Sequence, residues 1–412
     1  MQVLHRCCAG LDVHKDTVVA CVRRVDEAGK AREEVRTFGT MTGQLIELAD
    51  WLAERGVAHV AMESTGVYWR PVWHLLEGRF RPMLVNAQHI KQVPGRKTDV
   101  KDCQWIAQLL QHGLLRPSFV PPAPIRELRD LTRQRAQMVA ERGSVANRIQ
   151  GALEDANIKL GSVASDVLGE SGRAMLRAMI AGQDDPAALA ELARGRLRAK
   201  APALVLALRG AVTCHHRFLL GLLLDHYEAL EALIARLSAR VEEVLAPHAE
   251  AVAHLETIPG VGRRVAEVIV AELGADMGQF PTARHLASWA GMCPGNNESA
   301  GKRRSGKTTK GSRWLRTALI QAAHAAGRSK GTYLGSQFRR LASRRGSKRA
   351  AVAVGHTLLG VAYRVPKTGE DYRDLGPDYR DRLGPERLTL QLVRRLERLG
   401  HKVTLEAQDD AA

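Results

Sequence analysis

The sequence predicts a mixed α/β domain at the N-terminus followed by an all-α remainder. Five short apolar runs, rich in small and β-branched residues and separated by turns or helical segments, occupy the first 86 residues. From Ile125 onward, apolar residues instead recur at spacings of three and four. The short runs predict the strands of a sheet, and the later spacing predicts a helical remainder.

The predicted elements follow one another in a defined order. Strands are expected over residues 7–13, 17–23, 33–38, 57–62 and 82–86. Helices are expected over residues 42–54, from residue 68, over residues 88–93, and after Thr98, which is a good N-cap. Because no helix separates the first three strands, they predict an antiparallel meander.

Acidic residues stand at the ends of two predicted strands and in the first turn of a later helix. Asp12 ends the first strand, and Glu63 ends the fourth. Asp99 and Asp102 are three residues apart and would project together from the helix after Thr98. Carboxylates so close repel unless they reach solvent or share a cation, and a hard divalent cation fits. Taken alone, the helical pair has a simpler interpretation as N-terminal aspartates favoured by the helix dipole.

The order of elements is that of the RNase H-like fold, and three blocks carry a closer resemblance: Gly10-Leu11-Asp12-Val13-His14-Lys15, Glu63-Ser64-Thr65-Gly66-Val67-Tyr68 and Lys97-Thr98-Asp99-Val100-Lys101-Asp102. They resemble the blocks of the DEDD transposases of the insertion sequence 110 family, whose N-terminal domain is similar to the RuvC junction resolvase. The resemblance implies that Asp12, Glu63, Asp99 and Asp102 form a catalytic acidic tetrad that binds Mg²⁺, with two ions per site. Two such ions ~4 Å apart would bridge a phosphate and polarise its oxygens.

The expected domain division has four parts. They are an RNase H-like (RuvC-like) DEDD domain at 1–124, a coiled-coil helical arm at 125–250 with an insertion at about 158–214, a helical transposase domain at 251–363, and a helical C-terminal tail at 364–412. In the arm, Leu131, Met138 and Val145 recur every seven residues with Val139 on the same side, and a second heptad run includes Leu233, with His226 as a polar register residue. A coiled-coil arm of this kind favours self-association.

Two glycines mark a turn before a helix of the third domain. The segment from Thr257 to Gly262 resembles a helix-hairpin-helix turn, in which backbone N–H groups near Gly260 and Gly262 meet a phosphate. A glycine-rich turn that caps any helix looks similar. Nucleic-acid contact through these glycines is therefore one of two interpretations.

A second chemical site is predicted in the polar loop from Asn296 to Arg304. In the same family, a serine before a small-Gly-Lys run, followed by a Lys-Gly-x-Arg-x-Leu-Arg helix, is the nucleophile, and Ser299 inherits that role by resemblance. Without the flanking match, Ser299 would be a serine in a polar loop. The family spelling has glycine where this chain has Ala300, and a methyl group there restricts positive φ.

The charge is strongly positive and unevenly distributed. The chain carries 61 Lys and Arg against 44 Asp and Glu, a formal charge of +17, and the segment from Lys302 to Arg349 has 15 cations and no acid. A polyanionic partner is expected, with nucleic acid first. The expected contacts are Lys302, Arg303, Arg304, Lys307, Lys310, Arg313 and Arg316.

Composition excludes several other classes of protein. No apolar run approaches the ~20 residues that span a bilayer, and the N-terminus has no signal-peptide pattern, so a cytoplasmic protein with no membrane partner is expected. The six cysteines include no C-x-x-C pair, so neither a zinc site nor a disulfide framework is predicted. Reduced thiols packed as small apolar residues are expected instead.

The resemblance implies an insertion-sequence transposase or recombinase acting on double-stranded DNA. It implies a covalent phosphoserine intermediate, a structured bridge RNA from the element as guide, and a homo-oligomer from dimer to tetramer in which tetrad and serine come from different subunits. Two alternatives remain open. A metal-dependent junction-resolving nuclease would need the tetrad but not Ser299, and a non-catalytic nucleic-acid scaffold would need only the basic surface.

Overall fold

The computed structural model describes residues 2–64, 66–86, 102–294, 297–299, 301–305, 308–309 and 311–406, with only the backbone of 297–299, 303–305 and 387. The chain forms two compact units, Met1–Val120 and Pro121–Ala412. The first contains a mixed sheet and the second is largely helical, which confirms the predicted α/β domain with a helical remainder. The finer division into four domains stays a prediction.

The first unit is built on a five-stranded sheet. Its elements are β1 (Cys7–Val13), β2 (Thr17–Val25), β3 (Ala31–Gly39), α1 (Thr42–Glu54), β4 (His59–Glu63), α2 (Trp69–Leu76), β5 (Arg81–Val85) and α3 (Asp102–Gln111). The order across the sheet is β3-β2-β1-β4-β5. β1, β2 and β3 form the predicted antiparallel meander, whereas β4 pairs parallel with both β1 and β5. α1 connects β3 to β4, and α2 connects β4 to β5.

Both faces of β1 are buried, which explains its continuous apolar sequence. Leu11 and its neighbours on one face lie in a core with side chains of α1 and α2. Cys8, on the other face, lies in a second core with Trp105 and Ile106 of α3. Because successive strand residues point to opposite faces, a strand between two helical layers is apolar at nearly every position. Burial raises the pKa of the Cys8 thiol to about 12, so this cysteine is a packing residue.

Some predicted elements of this unit cannot be compared with the structure. The helix expected over residues 88–93, the N-cap Thr98 and the acid Asp99 lie outside the described residues. The described part of the following helix, α3, begins at Asp102. Its apolar side chains Ile106, Leu109 and Leu110 are fully buried, and each contributes roughly 2 kcal/mol through the area removed from water.

The second unit begins with two long helices, α4 (Ala123–Asp155) and, after four shorter helices, α9 (Cys214–Leu245). They are antiparallel, because the end of α4 meets the start of α9 through Asp155 and His216, whereas Arg142 meets Glu231. The shorter helices are α5 (Leu160–Val163), α6 (Glu170–Ile180), α7 (Pro186–Glu191) and α8 (Ala201–Ala207). Their apolar side chains share one core with α4 and α9, so the predicted insertion completes this part of the fold.

The rest of the second unit is a cluster of helices with one small hairpin. Its elements are α10 (Ala249–Glu256), α11 (Arg263–Leu273), α12 (Ala283–Trp289), β6 (Asn297–Ser299), β7 (Lys302–Ser305), α13 (Arg313–Arg328), α14 (Tyr333–Arg345), α15 (Ser347–Thr368), α16 (Tyr379–Arg382) and α17 (Pro385–Arg398). α13, α14 and α15 pack on one another, and α12 packs on α15. The helix ends are set by caps such as Thr282, Ser312 and Thr332, whose hydroxyls accept a backbone N–H bond.

The apolar positions predicted for the coiled-coil arm are buried only in part. Val139, predicted on the same side as the first heptad run, and Leu233, in the second run, are 44% and 38% exposed. Arg135 is buried instead, because the first half of α4 packs against α11 as well as α9. His226 is not buried in a seam either, since its half-exposed ring lies 3.4 Å from the Glu141 carboxylate of α4.

The C-terminal tail is helical only in part. Residues 370–376, here called the strap, have no regular structure and are tied to two helices of the second unit. His254 Nδ1 lies 2.7 Å from Asp371 Oδ1, and the Tyr372 N–H donates to the Thr257 hydroxyl at 2.9 Å. The Tyr333 N–H donates to Asp374 at the start of α14. The strap therefore joins α10 and α14.

Two composition-based expectations also meet the structure. None of the helices in the described residues combines the length and apolar composition needed to cross a membrane. All six cysteines are free, and Cys8, Cys21 and Cys103 are buried as expected, but Cys214 is exposed at the start of α9.

Candidate active site

Two predicted acids are neighbours at one edge of the sheet. β1 and β4 run parallel with Leu11 opposite Met62, so Asp12 and Glu63 are the next residues on adjacent strands. Both side chains belong to the face that α3 covers, because Cys8 and Ala61, at alternate positions before them, pack against α3. The carboxyl ends of the two parallel strands thus present two carboxylates side by side.

α3 brings a third acid to the same edge. The helix runs antiparallel to β1, because its first turns lie over Gly10, the Cys8 Sγ–H donates to the Ala107 carbonyl at 3.5 Å, and Gln111 O accepts from the Leu4 N–H. Asp102, the first described residue of α3, therefore lies at the carboxyl end of β1. Asp12, Glu63 and Asp102 thus belong to the same edge of the sheet, here called the acidic edge.

Gly10 sets how closely α3 approaches the sheet. A Cβ atom on this residue would lie 2.2 Å from the Cys103 carbonyl oxygen and 2.4 Å from the Ala107 nitrogen. Both contacts are to helix backbone, which cannot move independently of the helix. Glycine is therefore required two residues before Asp12, because any side chain would lift α3 and Asp102 with it.

The acidic edge is partly open to solvent. The Asp12 side chain is 21% exposed, and its Oδ2 lies 3.2 Å from His14 Nε2. Glu63 and Asp102 are of intermediate burial, while Asp99, the fourth predicted acid, lies outside the described residues. Within the part of the chain that the structure describes, no group of three or more His, Cys, Asp or Glu is arranged to hold a metal ion. The donor chemistry of carboxylates from three neighbouring elements nevertheless suits a hard cation.

The predicted serine loop is a β-hairpin. β6 and β7 pair antiparallel, with Ser299 opposite Lys302 at the turn. Gly301, in the turn, has a φ of +73°, in the left-handed region that favours glycine. Ala300 itself lies outside the described residues. Ser299 thus stands at the tip of a tight turn, immediately before the basic strand β7.

The predicted nucleic-acid contacts differ in their surroundings. Lys302 and Arg313 are exposed, with the Arg313 guanidinium 4.4 Å from the Trp314 ring centre, and Arg316 is half-buried. Arg303 and Arg304 lie on β7 with only their backbone described, and Lys307 and Lys310 lie outside the described residues. These assignments stay predictions.

The two glycines of the turn before α11 have different environments. A Cβ on Gly260 would lie 2.3 Å from the Ala322 carbonyl of α13, so close helix packing already accounts for this glycine, whose φ is +88°. Gly262 caps α11 and is exposed, with no atom near a Cβ. Phosphate contact through either glycine stays a prediction.

Comparison with known proteins identifies the family. A family model of the DEDD type of IS110, described as a transposase, matches residues 9–158, and one described as a transposase of the IS116/IS110/IS902 family matches residues 252–339. The two matches together span the acidic edge and the serine hairpin. The chain belongs to the IS110 family of transposases.

Two curated relatives of this IS110-family chain match over part of their length. The chain is 32% identical over 126 residues to a putative transposase, y4pF/y4sB, of Sinorhizobium fredii, which covers 29% of this chain and 32% of that protein. It is 30% identical over 260 residues to an insertion element IS110 uncharacterized 43.6 kDa protein of Streptomyces coelicolor, covering 56% and 61%. The chain thus spans about a third and about three fifths of these two relatives. DEDD transposases generally use divalent metal ions.

Sequence reasoning missed a buried charge network in this IS110-family chain. Glu267 and Glu272 of α11 are almost fully buried, where they pair with arginines of α4. Arg133 holds Glu272 with two hydrogen bonds of 2.7 and 2.9 Å. The available signal was two acids within the otherwise apolar sequence from Val265 to Leu273, which implies buried partners.

Proposed function

We propose that this chain is a DNA transposase with an RNase H-like N-terminal domain, in which Asp12, Glu63, Asp99 and Asp102 bind Mg²⁺ and Ser299 is the nucleophile. The observation that carries the proposal is the acidic edge. The pairing of β1 with β4 and the start of the described part of α3 support it, because they put Asp12, Glu63 and Asp102 at the same edge of the sheet. Carboxylate oxygens from neighbouring elements are the ligands that a hard divalent cation such as Mg²⁺ prefers.

Each acid has a defined task in this proposal. The carboxylates of Asp12 and Glu63 would hold the cation from the sheet, and Asp102 would hold it from α3, whose approach to the sheet depends on Gly10. His14 lies beside Asp12 and orients its outer oxygen. When bound, Mg²⁺ would supply Lewis-acid polarisation of a phosphate oxygen. Because the edge is partly exposed, a DNA phosphate has access to it while the opposite end of α3 stays buried.

The serine step is a substitution at phosphorus. The Ser299 Oγ forms a bond to the DNA phosphorus and loses its proton, while the bond from phosphorus to one sugar oxygen breaks and that oxygen takes up a proton. The resulting phosphoserine ester keeps the phosphodiester bond energy, so a new strand end can attack it without another energy source. Lys302, paired with Ser299 across the hairpin turn, and the following arginines offset the developing negative charge.

The partners proposed are double-stranded DNA, a structured bridge RNA and further copies of the chain. The positive charge of residues 302–349 supports a polyanionic partner. Replacing Lys302, Arg303 and Arg304 by alanine should lower affinity for DNA and RNA and reduce the salt slope of binding by about one unit per lost phosphate contact. An unchanged salt dependence of binding would show that the hairpin is not part of the nucleic-acid interface. Sequencing the RNA that co-purifies with the chain tests the proposed guide. Measuring the mass of the protein in solution tests the proposed dimer or tetramer, in which acids and serine come from different subunits.

A covalent adduct separates a transposase from a nuclease. With its own flanking DNA as substrate, the chain should form a protein–DNA adduct that survives a denaturing gel. Ser299→Ala should bind DNA normally and form none, whereas Ser305→Ala, in the same hairpin, should still form one. Adduct formation by Ser299→Ala would overturn the role of this serine, and hydrolysis without any adduct would support a junction-resolving nuclease. Binding without cleavage by the unmodified chain would support the scaffold alternative.

A further inference from the structure

We propose that Glu272 is a positioning residue for the serine hairpin, acting through the hydroxyl of Ser312. This inference rests on the proposed function of Ser299, because it assigns the hairpin a fixed orientation that the reaction needs. The three-part link runs from Arg133 of α4, through Glu272 of α11, to Ser312 at the start of α13. It lies entirely within the second unit of the chain.

Glu272 is the centre of this link. Its side chain is 1% exposed, and Arg133 binds both carboxylate oxygens. The Arg129 guanidinium also contacts this end of α11, where it donates hydrogen bonds to the backbone carbonyls of Ala271 and Glu272. The Ser312 hydroxyl donates to Glu272 Oε2 at 3.0 Å. Glu272 therefore connects two helices and the residue that begins a third.

Ser312 links this carboxylate to the end of the hairpin segment. Its hydroxyl oxygen accepts a hydrogen bond from the Leu315 N–H and so caps α13, while its O–H donates a hydrogen bond to the Glu272 carboxylate. Because a buried carboxylate needs every donor available to it, the hydroxyl is held in one orientation. The chain direction at residue 312 is thereby fixed from two sides.

The base of the hairpin is clamped just before Ser312. A Cβ on Gly311 would lie 2.3 Å from the Ala290 carbonyl, and a Cβ on Gly291 would lie 2.6 Å from the Gly311 nitrogen. The segments that enter and leave the hairpin are therefore in direct backbone contact. Pro294 and Thr308 form a further bridge nearer to the hairpin. We expect a shift of residue 312 to move both segments at the base of the hairpin, because their backbones are in contact with no side chain between them.

Glu267 provides a matched comparison on the same helix. It is also almost fully buried, and it pairs with Arg135 of α4, the helix that supplies Arg133. Its other partners are Arg263 and Arg264 of its own helix, and among the residues that the structure describes none of its partners belongs to the hairpin or its base. The two acids share burial and charge, and differ in that Glu272 reaches Ser312.

Substitutions at Ser312 separate capping from the link to Glu272. Ser312→Thr keeps both functions, Ser312→Ala removes both, and Ser312→Asp keeps the cap but places a second carboxylate against Glu272. Hydrogen exchange of the amides in 297–305 should accelerate by about tenfold to a hundredfold in Ser312→Ala and Ser312→Asp, because each variant loses the hydrogen bond from residue 312 to the charged Glu272 carboxylate. Ser312→Thr should stay near the unmodified chain.

The carboxylate itself is tested with Glu272→Gln and the control Glu267→Gln. We expect faster exchange of the hairpin amides only in Glu272→Gln, together with a tenfold or greater fall in the rate of adduct formation at unchanged DNA affinity. Equal loosening in Glu267→Gln, or unchanged hairpin protection in Ser312→Asp, would overturn the inference. A hairpin that loosens as expected in a chain that never forms an adduct would overturn the role of Ser299 and leave the anchoring in place.

Discussion

Replacing Gly10 by alanine should separate α3 from the sheet and disturb the acidic edge. The new methyl carbon would lie 2.2 and 2.4 Å from two backbone atoms of α3, whereas ordinary contacts begin near 3.4 Å. The helix must therefore move away by about 1 Å, which weakens the packing of its buried face against β1 and β4. Overpacking of this kind costs about 1–3 kcal/mol, and we expect the upper end because backbone cannot yield as a side chain does.

The assay is hydrogen exchange of amides in β1 and α3, which reports the free energy of local opening. Gly43→Ala is the matched control, because Gly43 lies in α1 with no atom within 4 Å of a Cβ. That substitution should stabilise α1 slightly, by about 0.5 kcal/mol, through its higher helix propensity. Identical protection of β1 and α3 in the two variants would refute the reasoning about helix approach.

Two further predictions concern charge. Asp102→Asn should reduce DNA strand exchange by at least a hundredfold while circular dichroism and thermal stability stay unchanged, because it removes one carboxylate from the acidic edge without changing its shape; exchange at the normal rate in Mg²⁺ would argue against the site. The pKa of His254 is raised, mainly by its hydrogen bond to Asp371, so its contribution to holding the strap is complete below the ordinary pKa near 6.5 and is lost as pH rises through the raised value. Protection factors of the strap amides should therefore fall as pH rises above about 6.5, and Asp371→Asn should remove that dependence.

The sheet was predictable because its signals are local. Each strand is a short apolar run bounded by turn residues, and Asp12 and Glu63 interrupt such runs at their ends. Adjacent parallel strands then bring the two acids together without further information. The sequence could not indicate that Gly10 lies under α3, because the backbone atoms it meets are about 93 residues further along the chain.

The second unit was less predictable because its helices have several neighbours. The heptad pattern of α9 fits a single partner, but the helix packs against both α4 and α6, so its buried face is wider and shifted. The serine hairpin was missed because strands of three and four polar residues carry no alternating pattern. Glu272 finds Arg133 at a separation of 139 residues, which no local pattern encodes.

The most direct test of the account is to locate the DNA on the protein. The adduct is digested with nuclease and trypsin, which releases the peptide of residues 285–302, and the modified residue is identified by mass spectrometry. That peptide contains only two serines, Ser288 and Ser299. We predict a nucleotide phosphate ester on Ser299. A nucleotide on Ser288 or on any other peptide, or complete strand exchange with no modified peptide at all, would contradict the proposed mechanism.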